Sequence, residues 1–301
     1  MTGTMPPGFP AHWRQLDPSS LRSFDWRVEG IDIPYVFLIS GRCGSTHLAS
    51  LLTDSRVCGE PSEYFNPDWM ANFPEVGAAN DLGEYIRYLV RARSGNRRFG
   101  FKIDHWRWEV LQSLIEVEQL FPVAQSVFFL MTRQDIVAQA HSFAVARATN
   151  IWHEYADAQS STPRDYVPTD DEILREMSLI ALAETGLSRY LERTGRSAMR
   201  LTYEELRQDP EGLLRRVGER LALEPDWLGK LSVVTSRIQR HEYARRDELI
   251  EGLKSRLAHE LAFLDTWRDN FRYEEFKRLV LERRGLDLER WPAPRIEVNS
   301  A

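Results

Sequence analysis

YVFLISGRCGSTHLASLL, Tyr35 to Leu52, is the stretch that decides the fold. Tyr35–Ser40 is a short apolar run bounded by Pro34 and Gly41, as expected of a strand buried on both faces. His47–Asp54 reads as a helix. Between them lies a loop bracketed by Gly41 and Gly44. A strand that enters a helix through such a loop presents unsatisfied N–H groups and the positive end of a dipole to an anion. The glycines let backbone come close, and Ser45 and Thr46 add hydroxyl donors that can also cap the helix. The nucleotide-hydrolysing form of this loop, GxxxxGK[ST], carries lysine after its second glycine. Here Ser45 stands in that place, and the loop's cation is Arg42, a side chain suited to a bidentate grip on phosphate oxygens. A capping turn that binds nothing is the competing reading of the loop alone.

Outward from this unit, strand-like and helix-like segments alternate. Phe99–Ile103 and Ser126–Met131 read as buried strands, and Ala198–Thr202 as a short one. Asp81–Arg93, Trp108–Leu120, Ile136–Ala148, Glu172–Thr194 and Pro210–Leu221 read as helices, with Pro210 suited to a first turn. Cys58–Pro67 reads as strand or turn. The alternation predicts an α/β fold, a P-loop-like three-layer sandwich around a mainly parallel sheet. Residues 1–33 are proline-rich and read as an irregular arm. Residues 34–243 form the expected core. Within it, 150–170 loses periodicity and gains Ser, Thr, Pro and Asp, which suggests a lid-like insertion. Residues 244–301 read as a charged, helical extension packed on the core.

The 301 residues are 43% hydrophobic and 28% charged, an ordinary globular balance. A net charge of -6 gives no basic excess to favour nucleic acid. Two cysteines, Cys43 and Cys58, do not make a disulfide framework. The start of the chain lacks a cationic, apolar leader, and the apolar runs fall far short of the ~20 residues of a membrane helix. The expectation is a soluble, cytoplasmic protein with no membrane span and no nucleic-acid partner.

A second basic element is MTRQDIVAQAHSF, Met131–Phe143. Arg133 follows the strand SVFFLM, and Ser142 lies on the next helix. Strand ends of a doubly wound sheet share one crevice, so Arg133 and Arg42 can face one ligand with two anions. A surface pair between Arg133 and Asp135 is the alternative.

The run Ser40–Phe65, SGRCGSTHLASLL followed by GEPSEYF, resembles bacterial sulfotransferases of the trehalose 2-sulfotransferase type. Its first part is similar to their 5′-phosphosulfate loop and its second to their GxPxEYF signature. GFKIDHW at Gly100–Trp106 is similar to a G-x-K segment of that family. MTRQDIVAQAHSF resembles the 3′-phosphate element, with Gln134 where the family usually has proline. LTYEELRQDP at Leu201–Pro210 resembles the segment before a late helix.

The resemblance implies sulfuryl transfer from 3′-phosphoadenosine 5′-phosphosulfate (PAPS) to a hydroxyl of a carbohydrate, glycolipid or related small molecule, without metal. It implies Arg42 with Cys43, Gly44, Ser45 and Thr46 at the 5′-phosphate, and Arg133 with Ser142 at the 3′-phosphate. Glu63 is implied as general base, with Glu60 as its local competitor. Lys102 is implied at the sulfuryl oxygens or the acceptor, against a plain surface lysine. His105 is a candidate assistant to the base, Trp106, Trp108 and Trp152 are either sugar-stacking or core residues, and His153 is a candidate lid residue. Homodimers occur in the family. A P-loop nucleotide kinase or NTPase, or a non-catalytic nucleotide-binding protein, remains the rival reading.

Overall fold

The computed structural model describes residues 24–70, 74–114, 117–152, 166–230 and 246–288. Along them run β1 (Ile33–Ile39), α1 (Ser45–Ser55), α2 (Pro67–Met70), α3 (Pro74–Ala78), α4 (Leu82–Arg93) and β2 (Arg98–Asp104). Then come α5 (His105–Leu114), α6 (Val117–Leu120), β3 (Val127–Thr132), α7 (Ile136–Thr149), α8 (Asp170–Arg193) and β4 (Ala198–Thr202). The chain continues with α9 (Tyr203–Gln208), α10 (Pro210–Arg220), α11 (Arg246–Arg256), α12 (Ala258–Trp267) and α13 (Tyr273–Arg284).

The strands form one parallel sheet in the order β2-β1-β3-β4. Connections leave β1 and β3 toward opposite edges, so the crevice between their carboxyl ends is the topological switch point, where ligands bind in open α/β sheets. The expected α/β class with a central parallel sheet and a helical C-terminal region is what the structure has.

Both faces of the sheet are buried, and alternation along each strand divides the core. Val36, Leu38, Phe101, Phe128 and Leu130 face a layer built from α4, α5 and the end of α8. Tyr35, Phe37, Ile39, Phe129 and Met131 face the opposite layer of α1, α9 and α10. Gly100 sits where a Cβ would come within 2.1 Å of the Tyr35 ring, so the missing side chain lets the tyrosine lie across β2. A third apolar cluster joins α7 and α8 to α11, α12 and α13.

Two expectations are corrected. The end of the N-terminal arm is packed, not laid on the surface: Trp26 and Ile31 are core residues, and Trp26 Nε1 donates to the Leu120 carbonyl. The helix expected at Trp108–Leu120 starts earlier, at His105, because Asp104 accepts the Arg107 N–H, and the residues described up to Leu120 are helical. Cys58–Pro67, expected as strand or turn, has one parallel bridge between Ser62 and Phe101 and a turn at Tyr64–Phe65 closed by the Asn66 N–H on the Glu63 carbonyl, and Pro67 opens α2. Of the lid-like insertion, residues 153–165, including His153, lie outside the described residues.

Candidate active site

The β1–α1 loop turns twice into the left-handed region, at Arg42 (φ 62) and Gly44 (φ 84). A non-glycine residue there carries backbone strain, which tends to persist at functional sites. Alternation of this kind turns successive N–H groups into a concavity that suits an anion. Gly44 is also closely covered: a Cβ would fall 2.5 Å from the Tyr203 ring. It is the N-cap of α1 and offers no side chain, so the first turn of the helix has no side-chain cap. The Cys43 N–H is turned back onto the Ser40 carbonyl at 3.2 Å, which leaves the inward-facing donors to its neighbours. Burial pushes the Cys43 thiol up to about 11, so it is neutral at physiological pH.

Lys102 is only 4% exposed although it lies within a strand. It takes the α1 side of β2 and crosses to the loop, where Nζ donates to Thr46 Oγ1 at 2.6 Å and pairs with Glu63 Oε1 at 3.1 Å. The bridge of Ser62 to Phe101, with the Lys102 N–H on the Ser62 carbonyl at 3.0 Å, lays Glu63 along the end of β2. Asn66 Nδ2 meets the other Glu63 oxygen at 3.3 Å. Glu63, Lys102 and Thr46 thus form one cluster beside the loop, and the Glu63 side chain keeps 23% exposure. Glu60 is turned away, its carboxylate 2.6 Å from Arg93 Nη1.

Across the crevice, Arg42 Nε donates to Ser142 Oγ at 3.0 Å, and Nη1 donates to the Trp152 carbonyl. Arg42 therefore spans from the loop to the far end of α7. Burial, then Arg133 and Arg246, lower Arg42 to about 10, which still leaves it cationic. Arg133 is buried, with its guanidinium 4.4 Å from the Tyr203 ring centre. Burial is also the main force holding Arg133 below the ordinary arginine value, with Arg246 adding to it. It is not the surface partner of Asp135, whose carboxylate caps α7 and pairs with Lys254. Arg133 Nε and Arg246 Nη1 are buried with no hydrogen-bond partner among the described residues. Arginines this buried and this close repel one another, and an anion between them would relieve both the repulsion and the lost hydration.

Sequence reasoning missed Arg246, Tyr203 and His141. Arg246 lies on α11, in a charged helical stretch where no motif or strand end singles it out. His141, beside Ser142 on α7, is 1% exposed. Burial first, then Arg246 and Arg133, hold its pKa down at about 4. The unfolded chain takes up this proton near pH 6.5, whereas the folded protein takes it up only near 4. Above about 6.5 the group does not affect stability. As pH falls from there toward 4, it destabilises the fold by up to about 1.4 kcal/mol per unit. Urea unfolding at pH 7, 6 and 5 should show a shallower decline in a His141→Gln protein than in the parent. Equal slopes would remove this contribution.

The remaining candidates divide clearly. His105 packs its ring on Gly186 of α8 and faces Glu109 at 3.6 Å. Trp108 is fully buried core, whereas Trp106 and Trp152 are 37% and 38% exposed. Among the described residues, no group of three His, Cys, Asp or Glu side chains could hold a metal ion, and no helix is long and apolar enough to cross a membrane.

The family model described as Stf0 sulphotransferase matches residues 34–251. Comparison with curated proteins finds no match. Among solved structures, the chain is similar to the sulfotransferase domain from the Synechococcus PCC 7002 olefin synthase. That likeness has 18% identity and a TM-score of 0.38, and it covers 75% of this chain and 88% of that one. The chain belongs to the Stf0 sulfotransferase family and is an enzyme of sulfuryl transfer.

Proposed function

We propose that this Stf0 sulfotransferase uses PAPS as donor and a hydroxyl of a carbohydrate, glycolipid or related small molecule as acceptor. The observation that carries the reading is the convergence of Arg42, Arg133 and Arg246 in one crevice, with the uncapped start of α1 on one side of it. A nucleotide with a 5′-phosphosulfate and a separate 3′-phosphate supplies two anions to such a crevice. PAPS brings the activated sulfuryl group; the chain supplies position and charge.

In this reading Arg42 and the backbone of Gly44, Ser45 and Thr46 hold the 5′-phosphate and neutralise charge as it becomes the leaving group. Arg133 and Arg246 hold the 3′-phosphate. Ser142 orients Arg42 through its hydrogen bond and can share a phosphate oxygen. Lys102 uses two of its three N–H groups on Thr46 and Glu63 and aims the third at a sulfuryl oxygen. Glu63 accepts the acceptor's hydroxyl proton as the new oxygen–sulfur bond forms and the bond from sulfur to the phosphate oxygen breaks in line. Exposed Trp106 and Trp152 offer aromatic faces to a sugar-like acceptor.

Calorimetric titration with adenosine 3′,5′-bisphosphate, ADP and ATP, without added metal, tests the donor. The bisphosphate is expected to bind at least about tenfold more tightly than either, the value of one or two well-placed hydrogen bonds. A preference for ATP, or no binding of the bisphosphate, would reject PAPS and these site roles together.

A further inference from the structure

Arg268 opens a short helical turn after α12, outside the residues that the family model matches. Its guanidinium nevertheless reaches the β3–α7 loop. Nη1 donates to the Gln134 carbonyl at 2.7 Å, and Nη2 donates to the carbonyl of Arg133 itself. Nε meets Glu184 Oε2 at 2.9 Å, and Nη2 meets Glu184 Oε1 at 3.1 Å. One planar fork thus joins a buried carboxylate to the two carbonyls that set the direction of the Arg133 side chain.

Glu184 carries the connection onward. Ser40 Oγ donates to Glu184 Oε1 at 2.9 Å, and Ser40 directly follows β1 at the start of the β1–α1 loop. Gln139 Nε2 then donates both to Ser40 Oγ at 3.0 Å and to the Gly41 carbonyl at 2.8 Å. The other side of the Arg133 loop is held by Glu204, which accepts the N–H groups of Gln134 at 2.9 Å and Asp135 at 3.3 Å. Proline in place of Gln134 could not make the first of these bonds. The loop is thus gripped by its N–H groups from α9 and by its carbonyls from the C-terminal region.

We propose that Arg268 is a positioning residue of the donor site: it holds Arg133 aimed into the crevice and links that loop, through Glu184 and Ser40, to the β1–α1 loop. The C-terminal region then supplies part of the donor site's geometry as well as cover for α7 and α8. The proposal rests on the reading of Arg133 as a 3′-phosphate ligand.

A purely architectural tie would weaken every ligand alike, whereas a tie that aims Arg133 acts on the 3′-phosphate. The test therefore compares adenosine 3′,5′-bisphosphate with adenosine 5′-monophosphate by calorimetry on the full chain. Arg268→Lys keeps the charge beside Glu184 but loses the fork to the two carbonyls. The double variant R268Q/E184Q leaves no orphaned carboxylate and still offers Ser40 an acceptor, so it serves if the first variant is poorly folded. In either, Kd for the bisphosphate should rise roughly tenfold, and Kd for the monophosphate should stay within about twofold. Equal weakening of both ligands, or no change in either, would overturn the positioning role. A parent protein indifferent to the 3′-phosphate would instead overturn the donor reading, and this proposal with it.

Discussion

Glu63→Gln is expected to slow sulfuryl transfer about 10²- to 10⁴-fold, the usual contribution of a positioned base, and to leave bisphosphate affinity within about twofold. The substitution keeps the shape of the side chain and an oxygen for Lys102, but removes the proton acceptor. Glu63 is held by Lys102 on one oxygen and Asn66 on the other, so the amide can occupy the same place. Donor affinity should persist because the groups assigned to the phosphates sit on other segments. Single-turnover transfer and calorimetry on the same preparation separate the two effects. Full activity would exclude Glu63 as the base, and a parallel loss of donor binding would assign it to the donor instead.

Arg133→Met is expected to move affinity and stability in different directions. A charge-assisted hydrogen bond to a buried phosphate is worth about 1.5–3 kcal/mol, so bisphosphate affinity should fall roughly 10- to 150-fold. The ligand-free protein, however, holds Arg133 in a buried place beside Arg246, where its charge is disfavoured. Methionine removes that burden and fills a similar volume, at the loss of a cation–π contact with Tyr203 worth about 0.5–2 kcal/mol. The melting temperature without ligand should therefore hold or rise, while the rise on adding bisphosphate shrinks. A fall in melting temperature with unchanged affinity would make Arg133 a structural residue.

Much of the sheet and its first loop was legible in the chain. Tyr35–Ser40, Phe99–Ile103, Ser126–Met131 and Ala198–Thr202 each correspond to an observed strand within about two residues at each end. Strands buried on both faces declare themselves as uninterrupted apolar runs, and that signal is local. Helix starts were legible where a side-chain cap stands at the boundary, as with Asp81 before α4 and Pro210 at the first turn of α10. The helix read from Trp108 starts three residues earlier, because the apolar spacing begins at Trp108 whereas the cap, Asp104, lies a turn before it. Arg42, Glu63, Lys102 and Arg133 could be singled out because each sits at or near a strand end or in a quoted motif.

The sequence by itself determined the elements, the bend of the first loop and the charge available near it. Only the tertiary structure decided which charges share a crevice. Arg246 and Arg268 sit in a segment that reads as a charged helical extension packed on the core, but only the fold shows that Arg268 grips carbonyls 134 and 135 positions earlier. Trp26, in a stretch that reads as a loose arm, is buried against Phe99 and Phe121. Local spacing fixes which face of a strand or helix a side chain takes, since that depends only on backbone geometry. Which distant groups meet at that face depends on strand order and helix packing, where the energy comes from contacts between segments far apart in the chain.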